Sequence, residues 1–204
     1  MSMKKILATT ALTALLATGA SAAASAKDGF YVAPGFGWLV PNHSDISVAG
    51  GKGSIDFDNG WMFTGAVGYR MGSFRFEGEL GYGETDGGHV KGNGTKVKFG
   101  ADQSVFTGTV AGYYDVAIAG FTPYVGAGIG FADVDIDNFT FGGSTIDGGS
   151  STDLSMFGEV GVAIPMTKEL DLVPSYRYVW INNGGSGVDD STASLFRVAV
   201  RYNF

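Results

Sequence analysis

From Gly29 onward the hydrophobic pattern repeats every second residue, and clusters of turn-forming residues break it at intervals. A period of two marks extended strands with two distinct faces, whereas a helix repeats every 3.6 residues. In one run Phe74, Phe76, Leu80 and Tyr82 alternate with Arg75, Glu77, Glu79 and Gly81. In another, Leu170, Leu172, Tyr176, Tyr178 and Trp180 oppose Asp171, Ser175 and Arg177. The final run sets Phe196, Val198, Val200, Tyr202 and Phe204 against Arg197, Ala199, Arg201 and Asn203. Tyr69 is likewise out of parity with Arg70, and Met156, Val160, Val162 and Ile164 with Glu159. The pattern predicts eight strands, at 29–40, 60–70, 74–84, 101–116, 121–133, 152–164, 169–181 and 192–204.

Three short connections, Met71-Gly72-Ser73, Ala117 to Gly120 and Pro165 to Lys168, alternate with four long stretches at 41–59, 85–100, 134–151 and 182–191. The long stretches are rich in Gly, Asp, Asn and Ser and read as exposed loops. This alternation brings both termini to the short-turn rim, as in an antiparallel up-and-down barrel. Pro34 and Pro174 each remove a ladder hydrogen bond, which a bulge would accommodate.

Residues 1–26 read as a signal peptide, with 27–204 as the exported barrel. Lys4 and Lys5 form its positive start, Ile6 to Leu16 its apolar stretch, and Ala24-Ser25-Ala26 a small-residue cleavage site before Lys27. The apolar stretch is shorter than the ~20 residues of a membrane helix, and no later stretch is more apolar. Any membrane crossing must therefore use strands. The chain has no cysteine, which excludes disulfides, thiolate catalysis and Cys-ligated metals. Its net charge of −7 becomes −9 when Lys4 and Lys5 leave with the leader, a balance that argues against nucleic acid as a partner.

A lipocalin-like barrel or a β-sandwich would bury the same apolar parity that a membrane barrel exposes. The aromatic residues separate these cases. Phe30, Tyr69, Phe74, Tyr114, Phe121 and Tyr202 occupy the apolar parity at the short-turn end. Trp38, Trp61, Tyr82, Phe131 and Trp180 occupy it near the long-loop end. Two aromatic belts around an aliphatic band match the girdles of a membrane barrel. The expected fold is an all-β, eight-stranded antiparallel up-and-down transmembrane β-barrel in a bacterial outer membrane.

The segment Phe121-Thr122-Pro123-Tyr124-Val125-Gly126-Ala127-Gly128-Ile129-Gly130-Phe131, the run Leu172 to Trp180 and the terminal Arg201-Tyr202-Asn203-Phe204 carry a family likeness. They resemble the eight-stranded outer-membrane barrel superfamily of the OmpA membrane domain and OmpX, most of all its alphaproteobacterial porin-family or surface-antigen branch. The resemblance spans the mature chain. It implies a C-terminal strand read by the barrel-assembly machinery, a pattern filled here by Phe196, Val198, Val200, Tyr202 and Phe204. It also implies outer-membrane lipid and lipopolysaccharide as surroundings. Unlike full-length OmpA, no peptidoglycan-binding domain is expected after the barrel.

The inward parity collects five basic and five acidic residues: Arg70, Arg75, Arg177, Arg197 and Arg201 with Glu77, Glu79, Asp115, Glu159 and Asp171. Eight strands leave an interior just wide enough for side chains, and an unpaired buried charge is costly. The expected arrangement is a salt-bridged plug, with a narrow polar conduit as the competing one. Gly35, Gly37, Gly126, Gly128 and Gly130 share this parity and are expected to make room for the arginines.

Residues suited to catalysis are scarce. The only histidines are His43 and His89, both in expected loops. His43-Ser44-Asp45 contains the residue types used by outer-membrane lipid A acyltransferases and deacylases, but consecutive residues do not converge into a triad. Asp133, Asp135 and Asp137 imitate the start of a calcium loop, yet Asn138 stands at its glycine position and Ser144 at its final glutamate position. Gly126, Gly128 and Gly130 depart from nucleotide-loop spacing and precede no helix. No catalytic, cofactor or metal residue is assigned.

The long stretches are mostly acidic: Asp133 to Asp153 holds five acids and no base, and Asp189 and Asp190 lie in the last. The stretch 85–100 is the exception, with Lys91, Lys96 and Lys98 beside Asp86. The expected function is a structural and surface barrel that supports envelope integrity and displays acidic loops to a surface ligand. A narrow small-solute channel is the alternative, and a lipid-modifying enzyme the third.

Overall fold

The computed structural model describes residues 28–42, 44–48, 51–85, 88–92, 95–99, 103–118, 120–136, 139–141, 144–146, 149–182 and 191–204, with side chains described outside 43–57, 86–102 and 136–148. The leader expected at 1–26 lies outside the described residues. In chain order the strands are β1 (Gly29–Pro41), β2 (Ser44–Val48), β3 (Gly51–Phe57), β4 (Gly60–Met71), β5 (Phe74–Thr85), β6 (Gly88–Gly92) and β7 (Thr95–Phe99). They continue as β8 (Gln103–Asp115), β9 (Thr122–Ile136), β10 (Phe139–Phe141), β11 (Ser144–Ile146), β12 (Gly149–Pro165), β13 (Leu170–Asn182) and β14 (Ser191–Asn203).

Eight of these strands, in the order β1-β14-β13-β12-β9-β8-β5-β4, close into an antiparallel barrel. They are the eight expected from the alternation, and their faces follow it. Along β5, every residue from Phe74 to Thr85 is exposed or buried in strict alternation. The barrel is closed by β1 and β14, which run in register from Tyr31↔Asn203 to Pro41↔Ala193, and the Phe204 amide donates to the Phe30 carbonyl at 3.1 Å.

The short-turn rim depends on local chemistry. Gly72 turns β4 into β5 at a φ of 60°, a left-handed value that favours glycine, and its amide donates to Asp28 Oδ1 at 2.7 Å. At 166–169, Thr167 Oγ1 accepts from the amides of Glu169 and Leu170 at 3.2 and 3.1 Å.

Two local expectations are corrected. The stretches expected as loops carry strands of their own. Residues 44–57 and 88–99 form two hairpins that join as a four-stranded sheet, β2-β3-β6-β7, while β10 and β11 form a separate hairpin. Glycine and aspartate masked the cue, since Ile46 and Val48, Ile55 and Phe57, and Val97 and Phe99 already alternate. Neither proline makes a bulge. Pairing with β14 lapses at Pro34 and resumes in the same register at Gly35↔Ala199, while Pro34 pairs in register with Gly65 on its other side. Pro174 likewise pairs with Val198, and equal residue counts separate Gly161↔Ser175 from Ile164↔Leu172. Each proline loses ladder contact with one neighbour and leaves the register unchanged.

Candidate functional site

The lumen is the concentrated feature of the barrel. Alternation along six strands turns Arg70, Arg75, Glu77, Glu79, Asp115, Glu159, Asp171, Arg177, Arg197 and Arg201 inward, and none is more than 8% exposed. They divide into two levels.

The upper level is a closed ring of four charges. Arg177 on β13 reaches the opposite wall, where Nη1 and Nη2 donate to Glu79 Oε1 and Oε2 on β5 at 2.5 and 3.2 Å. Its Nε donates to Glu159 Oε2 on the adjacent β12 at 2.7 Å. Arg197 on β14 bonds Glu159 Oε1 through Nη2 at 2.9 Å, and Glu79 Oε2 through Nη1. Each glutamate therefore holds both arginines, and the Tyr124 hydroxyl donates to Glu159 Oε1 at 2.7 Å. Paired forks of this kind are the geometry in which buried charge is tolerated.

The lower level, toward the short-turn rim, is built around Asp115 and Asp171. Arg75 Nε lies 2.9 Å from Asp115 Oδ1, and Arg70 Nη2 lies 3.3 Å from Asp115 Oδ2. Arg201 Nη2 and Asn203 Nδ2 donate to Asp171 Oδ2 at 2.9 and 3.0 Å. The Arg75 guanidinium carbon also sits 4.6 and 4.7 Å from the ring centroids of Tyr113 and Tyr124, a cation–π cage around a group whose Nη2 has no hydrogen-bond partner in the protein. Glu77 belongs to the edge of this level: it accepts from the Tyr31 hydroxyl at 2.8 Å and stands 3.7 Å from Arg75.

The glycines expected to accommodate arginines mostly accommodate rings. Tyr31, Tyr113, Tyr124 and Phe157 point inward, and each sits directly across its ladder from a glycine: Gly68, Gly126, Gly161 and Gly128. A Cβ on any of the four would overlap the facing ring. At Gly37 the nearest group is Leu195, and at Gly130 it is the Gly108 backbone. Only at Gly35 does an arginine come close, with Arg197 Cδ 3.4 Å from the Cβ position. The sequence reading passed over these four rings, although they lie on the charged parity. It also passed over the wall above the ring, where Leu39, Met62 and Leu195 form a buried apolar cluster.

On the outer surface, Phe30, Tyr69, Phe74, Tyr114, Phe121 and Tyr202 lie toward the short-turn rim, and Trp38, Trp61, Tyr82, Phe131 and Trp180 toward the other. Trp61 and Tyr114 are partly covered by neighbours and the other nine are exposed. Rings pair edge-on, as in Phe30–Tyr69 at 4.9 Å and Phe74–Tyr114 at 5.3 Å. The band between the belts is not purely aliphatic, since Phe36 and Phe63 pack with tilted rings, centroids 5.0 Å apart, within the outer face. Phe196, Val198, Val200, Tyr202 and Phe204 all face outward on β14 and beyond it.

The other sequence candidates lie on or beside the long segments. His43 and Asp137 lie outside the described residues. The backbone of His89 pairs with Lys98 in the four-stranded sheet. Asp133 and Asp135 are in extended β9, where Asp133 Oδ2 accepts from Thr152 Oγ1 at 3.2 Å, so this stretch does not turn as a calcium loop does.

The outer membrane protein beta-barrel domain model matches residues 9–204. No curated protein matches the chain. Among solved structures it is similar to Neisserial surface protein A, with a TM-score of 0.57 and 22% identity over 86% of this chain and 97% of that one. It is also similar to the outer membrane protein OprG of Pseudomonas aeruginosa, with a TM-score of 0.57 and 18% identity over 90% of this chain and 99% of that one. At these identities the likeness is one of fold. The chain belongs to the outer membrane protein β-barrel family, and its place is the bacterial outer membrane.

Proposed function

We propose that this protein is a non-conducting barrel that contributes to the integrity of the envelope and presents its long segments to the exterior as an interaction surface. The short-turn rim then faces the periplasm. The reading rests on one observation: the Glu79–Arg177–Glu159–Arg197 ring spans the lumen from β5 to β13 with paired, buried side chains. Ions would have to separate these pairs to pass, and separating a buried pair costs about 3–5 kcal/mol. Asp133, Asp135 and Asp153 lie toward the long-segment rim. They support an acidic surface suited to a basic ligand or to the divalent cations that bridge lipopolysaccharide. The barrel-assembly machinery is the proposed reader of the terminal strand. No catalytic step belongs to this reading.

Planar-bilayer recording of the refolded protein tests it. Negligible conductance is expected from the wild type, and stable, ion-selective conductance would replace the plug by the channel reading.

A further inference from the structure

Above the salt-bridged ring the lumen changes character. Leu39, Met62, Val105, Val179 and Leu195 wall a cavity of about 120 Å³ that opens at the long-segment rim. Its floor is Phe157, capped by the Arg177 guanidinium 3.8 Å from the ring centroid. Arg177 is the one charged residue in the lining among the described residues, and Glu79 and Glu159 already hold it. The rest of the lining is uncharged but mixed, with Thr85, Gln103, Thr107, Thr109 and Ser155 set among the apolar side chains, and the apolar atoms lack dispersion partners on the open side. Dry apolar cavities of roughly 150 Å³ take up benzene-sized molecules.

One of these polar atoms stands apart. Thr109 Oγ1 lines the same cavity on a residue only 9% exposed and has no hydrogen-bond partner in the protein. A buried hydroxyl without a partner is unfavourable, and a ligand group able to bond it would relieve that cost. Cavity, walls and hydroxyl together describe one kind of guest.

We propose that this chamber binds a small uncharged molecule, apolar over most of its surface, that directs one hydroxyl or carbonyl group at Thr109. The site goes beyond the non-conducting barrel and stands on the walls above the ring, so a titration and a conductance trace fail independently.

Phenol is the probe, titrated into methyl-labelled protein in lipid nanodiscs and followed by NMR. Saturable shifts are expected at the methyl groups of Leu39, Met62 and Leu195, which face the cavity. Leu80 and Met156, exposed on the outer face, should show only the linear drift of phenol dissolving in lipid. Thr109→Val keeps the shape of the side chain and should weaken phenol binding by about tenfold, the worth of one neutral hydrogen bond, while leaving benzene unaffected. Benzoate should not bind, because among the described residues the lining offers no cation beyond Arg177, which Glu79 and Glu159 already hold. Absence of saturable shifts at the inward methyls of the folded wild type would overturn the proposal. So would benzoate binding as tightly as phenol, or unchanged phenol affinity in Thr109→Val.

Discussion

Glu159 is 2% exposed and holds Arg177, Arg197 and the Tyr124 hydroxyl at once. Its removal leaves two guanidiniums short of an anion in a place where water hardly reaches. Glu159→Ala should therefore cost about 3–5 kcal/mol, the penalty of breaking a buried pair, and lower the urea midpoint of the refolded barrel accordingly. Glu79→Ala should behave similarly, since Glu79 bridges the same two arginines. Glu77→Ala should cost clearly less, because its contacts are one tyrosine hydroxyl and an arginine at 3.7 Å. A larger loss at Glu77 than at Glu159 would show that the hub of the network has been misplaced.

At the scale of the strand, parity and cross-ladder partners decide what a substitution does. Glycine usually weakens a strand, so replacing it with alanine might be expected to help. Gly126 should do the reverse, because the buried Tyr113 ring lies over it, with Cδ1 overlapping the place where a Cβ would sit. Gly126→Ala should destabilise the barrel by about 1–3 kcal/mol through overpacking. Gly112→Ala meets nothing within 4 Å and should be near neutral in the same unfolding assay. The opposite order would contradict the ring-on-glycine packing. On the outer face, Val198 is 50% exposed at mid-strand, and an arginine there costs about 2–4 kcal/mol at the bilayer midplane. Val198→Arg should thus reduce the assembled fraction in outer-membrane preparations. Ala199→Ser, one residue along and facing inward, should assemble normally; equal defects would reverse the face assignment.

The molecule as a whole derives its resilience from closure. Every barrel strand has a partner on both sides, so there is no free edge at which unravelling can start. The folded form should survive unheated detergent electrophoresis and migrate apart from the boiled chain; identical migration would count against a closed barrel. The double variant Glu79→Ala/Glu159→Ala opens the ring and leaves Arg177 and Arg197 facing the lumen. It should be less stable and pass anions that the wild type excludes. A selectivity change in planar bilayers with no loss of stability would instead indicate that the ring is a filter and not a plug.

The number of barrel strands, their faces and the short-turn rim were legible in the sequence, because a period-two code and tight turns are local properties of the chain. Arg177 and Glu159 could be placed inside the barrel by parity alone. That Arg177 reaches β5 could not, since strands far apart in sequence meet across the lumen only after the barrel has closed. The stretches at 44–57 and 88–99 escaped for a related reason: short, glycine-rich strands are held by pairing with each other, which composition does not record. Alternation by itself determined a barrel with charge inside. Tertiary structure decided that this charge gathers in two levels and leaves a largely apolar chamber above the ring, because strand tilt and register, and not parity, set the height at which each inward side chain meets the others.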